Sequence, residues 1–373
     1  MRQADSERAV RDLFAMAGVE VNGPNPWEIR VRDEGAYRRI LADPELALGE
    51  TYVDGLWECE RVDELVCRIL RAGLDRKVRS NRKLLLQLLR NKLTNPQSVR
   101  RAREVGRRHY DIGNDLYEAM LDSEMTYTCG FWEGAETLDE AQQAKLKLVC
   151  DKIGLKEGMR VLDIGCGWGS FARYAARRRG ARVVGITISR EQVELGKRRC
   201  DGLPVEIRFQ DYREVDEPFD RVVSLGMFEH VGPKNHRAFM RVISRCLPDG
   251  GIALLHTIGA NRTAKALNPW FDKYIFPKGS LPSLQQIARA AEGLLVMEDC
   301  HSFGADYDRT LMAWHGNFNA SWDRLKERYG ERFRRMWNFY LLASAGAFRA
   351  RDNQLWQIVL SKGGVPGGYR SIR

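Results

Sequence analysis

Arg160-Val161-Leu162-Asp163-Ile164-Gly165-Cys166-Gly167-Trp168-Gly169-Ser170 is the stretch that decides the fold of this 373-residue chain. Its first half reads as a buried strand, the alternate glycines as a tight turn, and Ser170–Arg179 as the helix that follows. Glycine at alternate positions lets the backbone turn sharply and lets a ligand approach where a side chain would block it. Working outward, apolar strand patterns recur at Arg182–Ile186, Val205–Phe209, Phe219–Leu225 and Ile252–Ile258, with helical patterns between them. Strands alternating with helices predict an α/β class with an open, doubly wound, mostly parallel sheet. Residues 1–75 mix short helical and strand-like pieces (Trp27–Val31, Ala36–Leu41, Leu65–Leu70) without a catalytic constellation, and are expected to form a small α+β accessory domain.

The glycine turn alone leaves the ligand open. A dinucleotide site calls for GxGxxG and an acid about 20 residues on, at the end of the second strand. Here the second strand ends Gly185-Ile186-Thr187-Ile188-Ser189, without an acid, so hydride transfer recedes. An acid ahead of the first glycine, followed by GxGxG, instead matches the S-adenosylmethionine methyltransferases of the doubly wound class, whose sheet is seven-stranded and Rossmann-like with helical insertions. In that pattern Asp163 orients the loop Gly165, Cys166, Gly167, Trp168, Gly169 around the methionine moiety. Thr187 and Gln192 take the ribose contacts, and Asp211 with Tyr212, after the third strand, sits toward the adenine.

Charge adds a second constraint. Lys and Arg number 60 against 50 Asp and Glu, a net +10. Between Arg76 and Arg108 lie twelve bases and one acid, so this segment holds +11 and the rest of the chain is nearly neutral. The segment also carries Leu84, Leu85, Leu86, Leu88, Leu89 and Leu93. A basic, leucine-rich stretch suits an element lying on an anionic membrane, and equally a linker helix packed on a neighbour. Nucleic-acid binding ranks last, because the segment has no aromatic residue to stack on bases. The expected organisation is a front domain at 1–75, a basic amphipathic linker at 76–108 and a catalytic domain at 109–373.

No run approaches the roughly 18 apolar residues of a spanning helix, and MRQADSERAV has no apolar signal region, so a cytoplasmic chain is expected, meeting the inner membrane face peripherally. The eight cysteines contain no CxxC pair, and the six histidines no HExxH. Reduced thiols and no metal site are the expectation.

Unusual segments cluster at the ends of the predicted strands, where sites of open α/β sheets form. They are Tyr127–Trp132, Gly226–Gly232, Leu255–Gly259 and Gly304–Asp308. Glu229 and His256, after the fourth and fifth strands, bring a carboxylate and an imidazole to one sheet edge. His230 and His236 are read as structural, on the helix after the fourth strand.

HYDIGNDLY (109–117), YTCGFW (127–132), QQAKLKLVCDKIGLKEGMRVLDIGCGWG (142–169), MFEHVGPKNH (227–236), LLHTIG (254–259), KYIFPKG (273–279), FGADYDRTLMAW (303–314) and AGAFRARDNQLWQ (345–357) resemble the cyclopropane-fatty-acyl-phospholipid synthases. GETYVDGLWEC (49–59) extends the resemblance to the front domain and favours the phospholipid-modifying branch over the shorter mycolic acid enzymes. The resemblance implies methylene transfer from S-adenosylmethionine to the cis double bond of an unsaturated acyl chain in a membrane phospholipid. An alkene needs no activating nucleophile, and the resulting carbocation must lose a methyl proton as the ring closes. The family holds bicarbonate as that base; its binding residues carry over onto Cys129, Glu229, His256, Tyr307 and the backbone of Ile258. Tyr127 and Thr128 carry over onto the cofactor, and a homodimer is implied. Ser344 stands where some members have a cysteine once considered for covalent catalysis, which excludes an essential thiol there. Methyl-branched acyl products, N-methylation of a small amine, and a lipid-binding protein without turnover are the competing readings. The aromatic residues Trp270, Phe271, Tyr274, Trp314, Phe318, Phe339 and Tyr340 are core by composition, or in part the lining of an acyl tunnel.

Overall fold

The computed structural model describes residues 3–74, 113–263 and 267–373. The basic segment Arg76–Arg108 and the boundary expected at His109 lie outside the described residues. In chain order the elements are α1 (Gln3–Ala15), β1 (Arg30–Val31), α2 (Gly35–Ala42), α3 (Pro44–Val53), β2 (Trp57–Glu58), α4 (Val62–Arg71), α5 (Asn114–Met120) and α6 (Leu138–Lys152). Then come β3 (Arg160–Ile164), α7 (Ser170–Arg179), β4 (Arg182–Thr187), α8 (Arg190–Arg199), β5 (Val205–Phe209), β6 (Arg221–Leu225), α9 (His236–Cys246) and β7 (Ile252–Ala260). The last are α10 (Pro269–Tyr274), α11 (Leu284–Ala291), β8 (Val296–Ser302), α12 (Ala305–Ala320), α13 (Trp322–Arg349) and β9 (Asn353–Ser361). None of the described helices is long and apolar enough to cross a membrane.

Two compact units result, and their division is not linear. One gathers the front residues through Met120 with Ala266–Lys278 and Leu311–Asp352; the other holds Leu121–Lys265, Gly279–Thr310 and Asn353–Arg373. The front helices therefore share a core with helices from late in the chain, where sequence patterning placed a boundary. Within this first unit α4 lies against α13 at a glycine. A Cβ on Gly346 would come 2.3 Å from the Asp63 carbonyl oxygen. Asp63 is fully buried and accepts from Arg61 at 2.8 Å and Arg349 at 2.6 Å. The Ser344–Arg349 segment is thus a seat for α4. Trp270, Phe339 and Tyr340 are buried in the same unit, where Trp270 and Phe339 lie against Gly49 of α3 and meet edge-to-face at 4.7 Å.

The second unit is a seven-stranded sheet in the order β5-β4-β3-β6-β7-β9-β8. Strands β3 to β7 pair in parallel, while β9 runs antiparallel to both β7 and β8. The five strands expected from pattern are present; β8 and β9 are additions. Leu162, Ile164, Val222 and Leu255 face a core closed by α9 and α11. Val161, Val223 and Leu254 face the opposite core under α6 and α7. Both faces are covered, which is why these strands read as near-continuous apolar runs rather than as alternating ones. Each fully buried aliphatic side chain contributes about 1.5–3 kcal/mol. The order reverses between β3 and β6, and ligands of open α/β sheets sit at the carboxyl ends of strands at such a switch point.

Candidate active site

The loops after β3 and β6 meet at that switch point. Gly165 takes φ 81°, and a Cβ there would lie 2.5 Å from Met227 Cβ, so glycine is required both by the left-handed turn and by the approach of the neighbouring loop. Gly226, at φ 75°, brings the β6 loop against Thr128, with a Cβ position 2.7 Å from Thr128 Cγ2. Around Gly167 a Cβ would meet nothing within 4 Å, so the middle of the loop faces open space. Trp168 and Cys166 are buried.

Asp163 is the last polar group before the loop. It lies on the α6-covered face of β3, since side chains alternate along a strand and Val161 faces that way. Its Oδ2 finds no hydrogen-bond partner among the described residues. Burial pushes this carboxyl up to about 7, against the opposing pull of the Lys145 ammonium. At the end of β4, Thr187 Oγ1 donates to Gln192 Oε1 at 2.7 Å, and Ser189 caps α8. Asp211 is part-exposed and engaged by Arg213, which donates through Nη2 at 2.6 Å and Nε at 2.9 Å and holds the carboxyl below its usual range. Tyr212 packs edge-to-face on Phe239 at 5.3 Å.

The reacting groups expected from sequence divide into two subsets. Glu229 sits in a short 3-10 turn after β6, and its Oε1 accepts from the Ile258 N–H at 2.6 Å. His256 lies inside β7, not beyond it, two residues from Ile258 and so on the same side of the strand. His230 belongs to the turn holding Glu229, and His236 opens α9 stacked on Phe228 at 4.3 Å. Gln357 Nε2 stands 3.3 Å from His256 Nδ1, an arrangement that, with the amide donating, puts the imidazole proton on Nε2. That Nε2, like Glu229 Oε2, is buried with no partner among the described residues. Burial drives Glu229 up to about 7 and holds His256 well below its ordinary value, so the imidazole is neutral at pH 7.

Cys129 forms the second subset with the first turns of α12. It is fully buried, 3.1 Å from the Gly130 carbonyl and 3.8 Å from Thr310 Oγ1. Burial, reinforced by Asp306, pushes the thiol well above its usual range, the opposite of a nucleophile's requirement. Tyr307 is buried three residues before Thr310, on the same helix face. Thr310 Oγ1 accepts from Gly130 N at 3.1 Å and Trp132 Nε1 at 2.9 Å, and Asp306 accepts from Trp132 N at 2.7 Å. Sequence reading singled out the Gly304–Asp308 segment without a role for Asp306, and gave none to Thr310 or to Gln142 and Lys145 on α6. For Thr310, Gln142 and Lys145 the available signal was a polar residue interrupting an apolar helix face.

A protein-family model described as mycolic acid cyclopropane synthetase matches residues 97–358. The chain belongs to that family. It is 51% identical over 366 residues to a cyclopropane-fatty-acyl-phospholipid synthase of Escherichia coli, covering 98% of this chain and 96% of the relative. It is also 38% identical over 267 residues to a probable fatty acid methyltransferase of Pseudomonas putida, covering 68% of each chain. Among solved structures of the family, a mycolic acid cyclopropane synthase complexed with SAH and CTAB aligns at TM-score 0.63 with 30% identity, over 68% of this chain and 96% of that one. Coclaurine N-methyltransferase, at 23% identity and TM-score 0.68 over 84% of this chain and 99% of that one, shares the fold.

Proposed function

We propose that this chain is an S-adenosylmethionine-dependent cyclopropane-fatty-acyl-phospholipid synthase, transferring a methylene group to the cis double bond of an unsaturated acyl chain esterified in a phospholipid. One observation carries the chemistry. The carboxyl edge of the sheet holds three buried polar atoms without partners among the described residues, Asp163 Oδ2, Glu229 Oε2 and His256 Nε2, and the thiol nearby is unactivated. A buried polar atom left unpaired costs roughly 1–3 kcal/mol, so such a set persists where a ligand completes it. Asp163, the Gly165–Gly169 loop, Thr187, Gln192, Asp211, Tyr212, Tyr127 and Thr128 are the proposed holders of S-adenosylmethionine, which supplies the electrophilic methyl group.

His256 Nε2–H is a donor suited to an oxyanion, and a Glu229 carboxyl near 7 can accept from a hydroxyl or pass on a proton. These two groups fit bicarbonate. With Cys129, Tyr307 and the Ile258 backbone they are its proposed holders, where it would supply the base that a carbocation requires. The protein's own part is to keep the pocket dry, hold His256 neutral and position Glu229 through the Ile258 N–H. The +11 segment Arg76–Arg108 supports peripheral attachment to the anionic inner face of a membrane, at about 1 kcal/mol per base. A homodimer completes the reading.

Incubation with S-adenosylmethionine and vesicles of unsaturated phospholipid should give fatty acids heavier by one CH₂ that resist hydrogenation. Unchanged acyl chains would overturn the function, and a rate indifferent to bicarbonate depletion would overturn the assigned base.

A further inference from the structure

Helix α6 buries three polar side chains, Gln142, Lys145 and Lys152, and the first two stand beside the Thr126–Phe131 segment. These two are three residues apart, hence neighbours on the helix surface, and both residues are fully buried. Gln142 Nε2 donates to the Thr128 carbonyl at 2.7 Å, and to that of Thr126 at 3.4 Å. Lys145 Nζ donates to Thr128 Oγ1 at 2.9 Å. One turn earlier the Ala141 carbonyl accepts from Phe131 N at 2.9 Å, and Gly130 is so close that a Cβ would lie 2.9 Å from Ala141 Cβ. The helix is itself anchored by a capping box in which Thr137 and Glu140 satisfy each other's backbone groups. Thus α6 grips the Thr126–Phe131 segment along its length, and Thr128 in turn abuts Gly226 beside the glycine loop.

A buried ammonium is costly unless answered by charge or hydrogen bonds. Two acids answer it: Asp122, whose carboxylate accepts from the Thr126 N–H at 2.7 Å, and Asp163 on β3. A methionine there would avoid that desolvation altogether, so the lysine has a task that packing does not explain.

Resting on the S-adenosylmethionine reading above, we propose that Lys145 is a positioning residue of the cofactor site, holding the Thr128 hydroxyl and, with Gln142, setting the Tyr127–Thr128 segment against the glycine loop. Its charge also opposes the burial that raises the Asp163 carboxyl, so one side chain orders the segment on one side of the site and bears on the acid on the other.

The test is a double-mutant cycle with Lys145→Met and Thr128→Val, read by calorimetric binding of S-adenosylhomocysteine, by KM and kcat, and by Tm. Each single variant should weaken binding roughly tenfold, as expected for one charge-assisted hydrogen bond, with KM for S-adenosylmethionine rising more than kcat falls. The double variant should be within about twofold of the worse single one, because both remove the same contact. Binding unchanged in either single variant, or penalties that multiply, would overturn the proposal; so would a lowered Tm with unaltered binding, which marks a purely structural lysine. Should Lys145→Met fail to fold, Gln142→Leu takes its place, since it removes the other grip on Thr128 without touching a proposed cofactor contact, and unchanged binding there would overturn the positioning role. A wild-type chain that binds no S-adenosylhomocysteine would overturn the cofactor reading itself, whereas wild-type binding with indifferent variants overturns the role of Lys145 alone.

Discussion

Asp63 and Asp163 are two aspartates removed from water, and the molecule treats them in opposite ways. Asp63, in the first unit, receives hydrogen bonds from Arg61 and Arg349, and these guanidinium partners hold its carboxyl below the usual range even though burial acts to raise it. Asp163, in the second unit, keeps one oxygen without a partner, and burial lifts it to about 7. A charge that holds a fold together is completed by the fold; on the proposed cofactor reading, a charge kept for a ligand is left incomplete. Glu229, also buried and also near 7, belongs with Asp163.

That contrast can be broken or sharpened by substitution. The largest effect is expected at Glu229: Glu229→Gln should lower kcat by about 10²–10³-fold with little change in S-adenosylmethionine affinity, as for a general acid–base or anion-orienting group. Tyr307→Phe should follow the same pattern more weakly, and an equal loss of cofactor affinity in either variant would move that residue to the cofactor side. Next, Asp63→Ala should reduce unfolding free energy by about 1–3 kcal/mol in urea denaturation, because it removes the hydrogen bonds that Arg61 and Arg349 make to a fully buried carboxylate, while leaving S-adenosylhomocysteine binding intact.

Asp163→Asn should act in the reverse sense. The folded-state pKa of Asp163 lies above the unfolded value, so between about pH 4 and 7 the native state retains a proton that the unfolded chain has released, and stability falls as pH rises. Removing the carboxylate should therefore stabilise the unliganded protein by about 2 kcal/mol at pH 8 and flatten this slope, while binding of S-adenosylmethionine weakens. A variant that is both less stable and unimpaired in binding would refute the assignment. The smallest effect is expected at Ser344, which sits on α13 in the seat for α4: Ser344→Cys should change turnover by less than about twofold.

The same contrast explains what was legible beforehand. Strands β3, β4, β6 and β7 announced themselves because a parallel sheet covered on both faces must be built from apolar runs, and the glycine loop because only glycine tolerates φ 81° against a neighbouring loop at Gly165. Strands β8 and β9 were missed. β8 is an edge strand with mixed exposure, Val296-Met297-Glu298-Asp299-Cys300-His301-Ser302, and carries no clean period. Glu229, His256 and Tyr307 could be named from their motifs, whereas Thr310, Gln142 and Lys145 could not, since their contacts with the Thr126–Trp132 segment exist only once the chain has folded.

By itself, then, the sequence determined the α/β class, the switch-point turn, the family and the residue types available for chemistry, because these depend on local periodicity and on motifs read along the chain. Tertiary structure decided which buried charges are completed and which are left open. It also set the front helices against Ser344–Arg349 and placed Lys145 beneath Thr128. Those outcomes depend on burial and on partners remote in sequence, Asp63 with Arg349 and Cys129 with Thr310, and desolvation acts on a side chain only once the packed fold has excluded water from it.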